Sequence, residues 1–454
     1  MNPLLRLACV ALALAAPAVA PAQSREFPAV LAGHAILQAN RMVPPPADAP
    51  PGLMVSGRFT GPGQDRTEAI GTLPQVTGLS LPFVGQPLQG FSGIKPAGDG
   101  SYWVLTDNGF GSKRNSGDAM LFFSRVTPDW KGGVVTVHQT VFLSDPDRKV
   151  PFRIVNEHTR ERYLTGADFD PESIQPVADG FWIGEEFGPF LIHVDRQGRV
   201  TGVFGTTSEG REIRSPDHPS LQLDANPTRA VPFQSQRSGG YEGMALSQDG
   251  QFLYALLEKP LLDAAGQPET AGGKRFLRII EFSVTRRAWT GREWRFGLED
   301  GVTSIGDFNM VDGRRALIIE RDDGEGDPSM ACAAATKPGP DNRCFANPAR
   351  VKRVVMVDLQ APDANGFVRR LGHVDLMAIR DPQNLARLKG EAKRDLTGLF
   401  TFPFFTIENV AVVDAEHIIV ANDNNLPFSI GRFVDRAADN EFILLKVPEL
   451  LQAR

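Results

Sequence analysis

The sequence is poor in cysteine and histidine, the residues that most often bind transition metals. It contains 3 cysteines and 7 histidines among 454 residues, and the histidines are scattered without a His-Glu-x-x-His pattern. This scarcity argues against zinc, whose protein sites are built mainly from Cys and His. The basic residues form no long run and the formal net charge is −6, so nucleic acid is not an expected partner.

Long apolar runs are also missing beyond the N-terminus. The opening residues MNPLLRLACVALALAAPAVAPAQ place one Arg before a short apolar run, followed by small residues at Ala18, Ala20 and Ala22. This order predicts a secretory signal peptide over residues 1–22, cleaved after Ala20 or Ala22. The apolar run is too short for a good membrane span. We therefore expect an exported protein, secreted or periplasmic, with no membrane span.

Two cysteines remain once the signal peptide leaves with Cys9. Cys332 and Cys344 flank the polar loop AAATKPGPDNR. In an oxidising compartment this pair is expected to form a local disulfide. A metal site is the alternative, but no His lies nearby in the sequence to complete it.

Glycine and proline are abundant, at 45 and 35 residues, which indicates many turns. Residues 23–51 include the run VPPPADAPPG and predict an extended, poorly ordered lead-in. Residues 52–454 are expected to form a single domain, because large β architectures commonly exceed the usual domain length.

Five stretches of the chain share one pattern. A polar or acidic residue opens a short apolar strand, a turn that is usually Asp-Gly follows, and a second strand ends in acidic or amide residues. The stretches begin at Gly90, Asp170, Gly240, Ile305 and Thr406. Asp-Gly between apolar strands is a strong hairpin signal. A further strand pair after most of these hairpins predicts an all-β fold, a β-propeller of four-stranded antiparallel blades.

Five inner hairpins are readable, so we expect five or six blades. The stretch between Gly52 and Leu88 and the stretch after Asp375 each leave room for a sixth. The segment AIGTLPQVTGLSLPF is expected to supply the outer strand that closes the ring. A β-sandwich or barrel with coincidental Asp-Gly turns is the alternative.

The acidic strand ends are the strongest functional signal. The opening positions are Ser92, Glu172, Glu242, Asp307 and Glu408, and the closing groups are Asp107 with Asn108, Glu185 with Glu186, Glu258, Glu320, and Asn422 with Asp423. In a propeller these ends meet at one mouth, and carboxylates so close repel one another unless a positive charge lies between them. Oxygen ligands suit Ca²⁺, with Mg²⁺ or Mn²⁺ possible.

The expected metal ligands are all carboxylates. They are Asp107, Glu172, Glu185, Glu186, Glu242, Glu258, Asp307, Glu320, Glu408 and Asp423. The alternative for each is a carboxylate that caps backbone N–H groups at a turn. The loop ERDDGEGDP is either a further cation loop or a solvated acidic loop, since it lacks the full EF-hand pattern.

Polar and basic residues are expected on the same face. Asn108, Lys113, Arg114 and Arg275 are the predicted substrate-binding residues. Such groups suit a small anionic substrate, a phosphoester above all. Lys259 and Arg321 directly follow closing acids and serve equally well as ion-pair partners of those acids.

Several of these stretches together resemble a known family. The stretches are GFSGI followed by WVLTDNG, DPESI followed by DGFWIGEEFGPFLIHVDRQGRV, GYEGMALSQDGQFLYALLEKP, and IERDDG. They resemble the phytase-like family described as "esterase-like activity of phytase", over roughly Gly78 to Leu445. The resemblance implies an exported bacterial protein with a propeller-like repeat that hydrolyses esters or phosphoesters.

The alkaline β-propeller phytases are similar only in outline. They bind several Ca²⁺ ions at one mouth of a six-bladed disc. Their Asp-Ala-Ala-Asp-Asp-Pro-Ala stretch is absent from this sequence. Only the acidic ring is therefore carried over from the resemblance, and phytate itself is in doubt as a substrate.

The sequence thus predicts an exported Ca²⁺-dependent phosphoester hydrolase, in which bound cations hold phosphate and activate water. It identifies no catalytic residue. Three alternatives remain. The first is a serine esterase that uses Ser92, although GFSGI is not a Gly-x-Ser-x-Gly elbow. The others are a calcium-dependent lactonase or carboxylesterase, and a calcium-stabilised binding propeller without enzyme activity.

Overall fold

The computed structural model describes residues 24–59, 69–72, 75–221, 233–339, 341–388 and 398–454. The predicted signal peptide lies outside these residues. The described chain is all-β, with three short helices at Pro51–Leu53, Pro328–Met330 and Pro448–Leu451. No helix among the described residues is long and apolar enough to cross a membrane.

Most strands belong to antiparallel four-stranded sheets, which we number in chain order. The strands of sheets one to three are Phe91–Pro96, Tyr102–Thr106, Phe122–Asp129 and Val134–Phe142; Pro171–Val177, Gly180–Glu185, Phe190–Val194 and Val200–Gly205; and Tyr241–Leu246, Phe252–Leu257, Lys274–Ser283 and Ala288–Gly297. Within each sheet the strands pair in sequence order, as a meander.

Sheets four and five follow the same plan, with a contribution from the start of the chain. Their strands are Ser304–Met310, Arg315–Arg321, Lys352–Asp358 and Arg369–Asp375; and Thr406–Val412, His417–Asp423, Asn440–Lys446 and Val30–Leu37. Val30–Leu37 pairs antiparallel with Asn440–Lys446 and is the fourth strand of sheet five. Glu26–Phe27 adds a short parallel edge to sheet four.

The remaining strands form small pairs beside these sheets. The pairs are Met42–Val43 with Gln86–Pro87, Val55–Ser56 with Phe83–Val84, Ala69–Thr72 with Gln75–Ser80, Thr207–Ser208 with Arg211–Glu212, Thr270–Ala271 with Lys274–Ser283, and Ile379–Arg380 with Leu399–Phe400. Neither stretch that left room for a sixth blade forms a four-stranded sheet in its described residues.

The prediction of the closing strand was wrong. The segment AIGTLPQVTGLSLPF forms its own hairpin, whereas residues 30–37, expected to be a poorly ordered lead-in, complete sheet five. Gly33 and His34 interrupt the apolar pattern of this strand, which hides it in the sequence. Gly33 lies under Trp130, where a Cβ atom would come within 2.8 Å of the indole, and His34 is buried against Glu441 at 3.0 Å.

Apolar side chains fill the spaces between consecutive sheets. Separate buried clusters join sheets one and two, two and three, three and four, four and five, and five and one. The first strand of every sheet also packs against the first strands of both neighbouring sheets. Each fully buried Leu, Ile or Phe contributes about 1.5–3 kcal/mol through its removal from water, so these clusters hold the sheets in a closed circle around the first strands.

Most of the long connections lie on one side of this circle. The turns after the first strands are short, as are most turns after third strands, whereas most segments after second and fourth strands are long. The segments between Glu185 and Phe190 and between Gly297 and Ser304 are short exceptions. Because the strands alternate in direction, the start of each first strand and the end of each second strand share the face that carries the long segments. That face is the one on which the acidic strand ends were predicted to meet.

Candidate acidic site

A β-bulge lies at the start of the first strand in each of the five sheets. In each strand the regular pairing with the second strand breaks directly after one residue: Phe91, Pro171, Tyr241, Ile305 and Ile407. A bulge re-aims the side chain that follows it. The residues that follow are Ser92, Glu172, Glu242, Gly306 and Glu408, which we call the opening positions of the ring.

The closing positions of the ring follow from the same pairing. The partners of the residues before the bulges are Thr106, Glu185, Leu257, Glu320 and Asn422. The next residues along the chain are Asp107, Glu186, Glu258, Arg321 and Asp423. Sheet four therefore contributes a glycine and an arginine where the other sheets contribute mostly acids.

Seven of the ten predicted metal ligands hold ring positions. They are Asp107, Glu172, Glu186, Glu242, Glu258, Glu408 and Asp423. All are buried except Asp107, which is half-buried. Asp170 joins them, although the sequence analysis did not propose it. Its sequence signal is its position two residues before Glu172. In the fold, its backbone carbonyl accepts a hydrogen bond from the Glu186 N–H at 3.0 Å.

Two groups of three carboxylates are close enough to share a cation. Asp170, Glu172 and Glu186 form the first group, and Glu172, Glu242 and Glu408 form the second. Within each group, one oxygen from every residue lies within 4.8 Å of the others. Glu172 belongs to both groups. The ligand atoms are all carboxylate oxygens, the set that hard divalent cations prefer.

Burial and mutual repulsion keep these acids protonated to unusually high pH. Burial raises the pKa of Asp170 to about 6 and, together with the charge of Glu408, that of Asp423 to about 8. The pKa values of Glu172, Glu186 and Glu242 lie well above the ordinary value, through burial first and neighbouring carboxylates second. The ring is therefore unfavourable when fully charged and without a positive partner.

Arg321 supplies one positive charge inside the ring. Its guanidinium Nη2 lies 3.3 Å from Glu408 Oε1, 3.4 Å from Glu258 Oε1 and 3.9 Å from Glu242 Oε1. These carboxylates raise the pKa of Arg321 against the effect of its burial. Gly306 fits beside it because a Cβ atom there would lie 2.1 Å from the Ile407 carbonyl oxygen.

Three predicted ligands point elsewhere. Glu185 accepts backbone hydrogen bonds from Phe187, Gly188 and Phe190 at 2.7–2.8 Å, so it caps a turn. Burial raises its pKa to about 7. Glu320 hydrogen bonds Arg370. Asp307 lies one residue beyond the ring position and pairs with Lys95 at 3.1 Å.

The Lys95–Asp307 pair anchors a polar network between the first strands. Asp307 also accepts hydrogen bonds from Asn309 Nδ2 at 2.9 Å and from the Val410 N–H at 3.2 Å. Gln175 reaches Asn309 at 3.1 Å. Burial lowers the pKa of Lys95, and Asp307 opposes that shift. The network joins sheets one, two, four and five through side chains that the sequence analysis did not connect.

The predicted substrate-binding residues differ in their surroundings. Asn108 is buried next to the ring: its N–H donates to Asp170 at 3.3 Å and its Oδ1 accepts from Gly111 at 2.7 Å. Lys113 donates to the Asp217 carbonyl at 2.8 Å and lies 4.9 Å from the Phe187 ring centroid. Arg114 and Arg275 are exposed. Asn108 and Lys113 are thus held in fixed positions, whereas the two arginines project into solvent.

Two other sequence-based alternatives can be compared with the structure. Ser92 donates to Glu408 Oε2 at 3.0 Å, and no histidine among the described residues hydrogen bonds it. In the loop ERDDGEGDP, Asp322 accepts from the N–H groups of Arg350 and Val351, and Glu325 from those of Ile430 and Gly431. These acids brace backbone segments, so the loop does not present a set of free carboxylates.

Comparisons with known proteins agree with the repeat that the sequence analysis singled out. A family model described as "Phytase-like: Esterase-like activity of phytase" matches residues 86–426. A protein of Arthroderma benhamiae named "Uncharacterized secreted protein" is 24% identical over 131 residues, which are 26% of this chain and 24% of that protein. The match thus spans about a quarter of the length of that relative.

Solved structures of similar outline are distant in sequence and in geometry. A putative 6-phosphogluconolactonase from Bacteroides uniformis is 12% identical, covers 76% of this chain and 82% of its own, and has a TM-score of 0.30. A luciferin-regenerating enzyme is 10% identical, covers 78% of this chain and 92% of its own, and has a TM-score of 0.30. A TM-score this low carries no argument about function.

Proposed function

Since this chain belongs to the phytase-like family described as "esterase-like activity of phytase", we propose that it is a hydrolase of phosphoesters that depends on a divalent cation, Ca²⁺ before Mg²⁺ or Mn²⁺. We further infer that its five four-stranded sheets are the blades of one propeller. The ring of acids at the face of the long connections is the proposed active site.

One observation supports the cation above all. Glu186 Oε1 and Glu242 Oε1 are buried and have no hydrogen-bond partner among the described residues. A buried carboxylate oxygen without a partner is costly, because its desolvation is not offset. Divalent cations held by oxygen ligands would remove that cost at each atom, and they would also offset the repulsion between neighbouring acids.

In this proposal, different residues of the ring and its surroundings bind the cations, bind the substrate and balance charge. Divalent cations would be held by the two carboxylate groups of the ring, Asp170, Glu172 and Glu186 in one and Glu172, Glu242 and Glu408 in the other. Asn108 and Lys113 lie beside the ring and bind the anionic end of the substrate by hydrogen bonds and charge. When bound, a divalent cation polarises phosphate oxygens and lowers the pKa of a bound water. Arg321 limits the build-up of charge among the acids of sheets three and five.

We also propose that the protein is exported. The Cys332–Cys344 disulfide is present in the structure, and disulfides persist in oxidising compartments. The Arthroderma benhamiae protein that matches part of this chain is named as secreted. The predicted signal peptide over residues 1–22 agrees with this location.

The test is phosphate release from phytate and from simple phosphomonoesters, with added Ca²⁺ and with chelator. The proposal predicts release in Ca²⁺ that the chelator and the Glu242→Gln variant each abolish. The matched control is Glu416→Gln, which changes an exposed acid paired with Lys446 in the turn after a first strand, on the face away from the ring. Full activity of Glu242→Gln would contradict the site.

A lactone panel in the same assay separates the alternatives. Turnover of lactones or carboxylic esters alone would make the protein a calcium-dependent lactonase or carboxylesterase. No turnover of any ester, together with a higher melting temperature in Ca²⁺, would make it a binding propeller. That outcome has a structural basis, since the ring acids come from different sheets and a cation between them would tie those sheets together.

A further inference from the structure

The two carboxylate groups of the ring differ in their positive neighbours. In the first group, Asp170, Glu172 and Glu186 form no ion pair with any Lys or Arg of the described residues. In the second group, Glu242 and Glu408 both lie within 4 Å of the Arg321 guanidinium. Among the described residues, the arginine that holds a ring position therefore lies on the side of sheets three to five, within ion-pair distance of the second group and not of the first.

Each group also contains one orphaned oxygen. Glu186 Oε1 in the first group and Glu242 Oε1 in the second are buried and find no hydrogen-bond partner in the part of the chain that the structure describes, the Arg321 guanidinium lying 3.9 Å from Glu242 Oε1. Glu186 and Glu242 are each 4% exposed. Two separate atoms in two separate groups are thus left in need of a ligand, and a single ion at one group would satisfy only one of them.

Glu172 is the link between the groups. It contributes an oxygen to both, and a carboxylate has two oxygens that can bind two different cations. A carboxylate shared in this way is how proteins hold two cations close together at one site.

We propose that the ring takes two divalent cations of unequal affinity, bridged by Glu172. The tighter position is formed by Asp170, Glu172 and Glu186. The weaker one is formed by Glu172, Glu242 and Glu408, where the charge of Arg321 opposes a second cation. The inference rests on the proposed function only in its premise that the ring binds divalent cations. Occupancy of the second position then depends on cation concentration in a range where the first is already full.

The test is calorimetric titration of Ca²⁺ into chelator-stripped, dialysed protein without any substrate. The wild type should bind two ions in two resolved steps. Glu186→Gln should remove the tighter step, Glu242→Gln the weaker one, and Glu172→Gln should weaken both. These variants distinguish two positions from one position with many ligands.

Substitutions of Arg321 test directly whether its charge weakens the second binding step. Arg321→Gln should tighten the weaker step by about tenfold or more, because it removes a buried positive charge next to the cation. Arg321→Lys keeps the charge and should leave that step weak. Arg196→Gln removes an exposed arginine from a turn on the opposite face and should change neither step.

Each outcome decides the matter. A single binding step in the wild type, loss of the same ion in Glu186→Gln and Glu242→Gln, or an unchanged weaker step in Arg321→Gln would each overturn the inference. If Glu172→Gln does not fold by circular dichroism, the Glu186 and Glu242 variants still decide it. Two-step binding in a protein that hydrolyses no ester would uphold the two-cation inference and reject the proposed hydrolase. Hydrolysis by a protein that binds one cation would uphold the hydrolase and reject the two-cation inference.

Discussion

The guanidinium of Arg321 lies 3.4 Å from the carboxylate of Glu258, although the two residues hold the same closing position in adjacent sheets. Each lies eight residues after the glycine of its Asp-Gly turn, Gly313 and Gly250 respectively. One repeat thus supplies the charge that balances the acid of its neighbour. The ring is built from equivalent positions that have diverged in charge.

Loss of this arginine should destabilise the protein. Arg321→Met removes a positive partner that Glu408 and Glu258 share, leaving Glu258 with Lys259 at 3.3 Å and the other buried carboxylates less compensated. We expect the free energy of unfolding at neutral pH, without added cation, to fall by about 3–5 kcal/mol. Urea unfolding measures it. Arg321→Lys should lose less, and added Ca²⁺ should restore part of the loss. Equal stability of Arg321→Met and wild type would contradict the arrangement.

The cation-free protein should become less stable as the pH rises. Burial and like charges raise the native pKa of Asp170 to about 6 and of Asp423 to about 8, from an ordinary value of 3.8. Between these values the native state binds more protons than the unfolded state, so the free energy of unfolding decreases with increasing pH. Melting temperatures in chelator should fall from pH 5 to pH 8. Saturating Ca²⁺ should make the melting temperature less dependent on pH. A melting temperature that rises with pH in chelator would contradict the close packing of the ring carboxylates.

Adjacent residues Glu185 and Glu186 should give opposite phenotypes. Glu185→Gln weakens three backbone hydrogen bonds in a buried turn, so it should lower the free energy of unfolding by about 1–3 kcal/mol and leave Ca²⁺ affinity unchanged. Glu186→Gln relieves repulsion in the ring, so it should weaken Ca²⁺ binding without destabilising the cation-free protein. Denaturant unfolding and calorimetry on both variants measure the two quantities. If both variants lost the same stability and the same Ca²⁺ affinity, the assignment of Glu185 to the turn and Glu186 to the ring would be wrong.

The Lys95–Asp307 pair should show strong coupling. Lys95→Met leaves Asp307 as an uncompensated buried charge, with an expected loss of about 3–5 kcal/mol. Lys95→Met combined with Asp307→Asn should cost less than the sum of the single changes, by about 0.5–3 kcal/mol. A double-mutant cycle in urea measures this difference. Additive losses would mean that the pair contributes through packing rather than charge.

Much of the fold follows from the sequence because its signals are local. Short turns between apolar strands, with Asp-Gly in four of the five, fix the inner hairpins, and all five hairpins occur where predicted. The closing strand was missed because Val30–Leu37 finds its partner some 400 residues away. Gly33 and His34 of this strand fit because Gly33 packs against Trp130 and His34 hydrogen bonds with Glu441. These partners are distant in the sequence, so no local pattern predicts them.

The positions of the acidic strand ends were predicted for most sheets but misread by one residue in sheet four. Asp307 and Glu320 are acids at the right ends of the right strands, yet a shift of one residue sends a side chain to the other face. The double bulge over Gly306 and Asp307 sets that register. The same distance from the Asp-Gly turn that separates Glu258 from its turn in sheet three leads to Arg321 in sheet four. Asp170 directly precedes its strand and was overlooked, although its position two residues before Glu172 is visible in the sequence.

The N-terminal strand Val30–Leu37 lies edge to edge with Asn440–Lys446, which has a consequence for biosynthesis. A chain made from its N-terminus holds this strand without its neighbour until nearly every later residue has been added. The last sheet can be completed only then, and the backbone groups on the edge that faces Asn440–Lys446 stay open to other partners in the meantime. The pairing that completes sheet five thus joins the first long strand of the described chain to its last strand, so this sheet forms only after both have been synthesised.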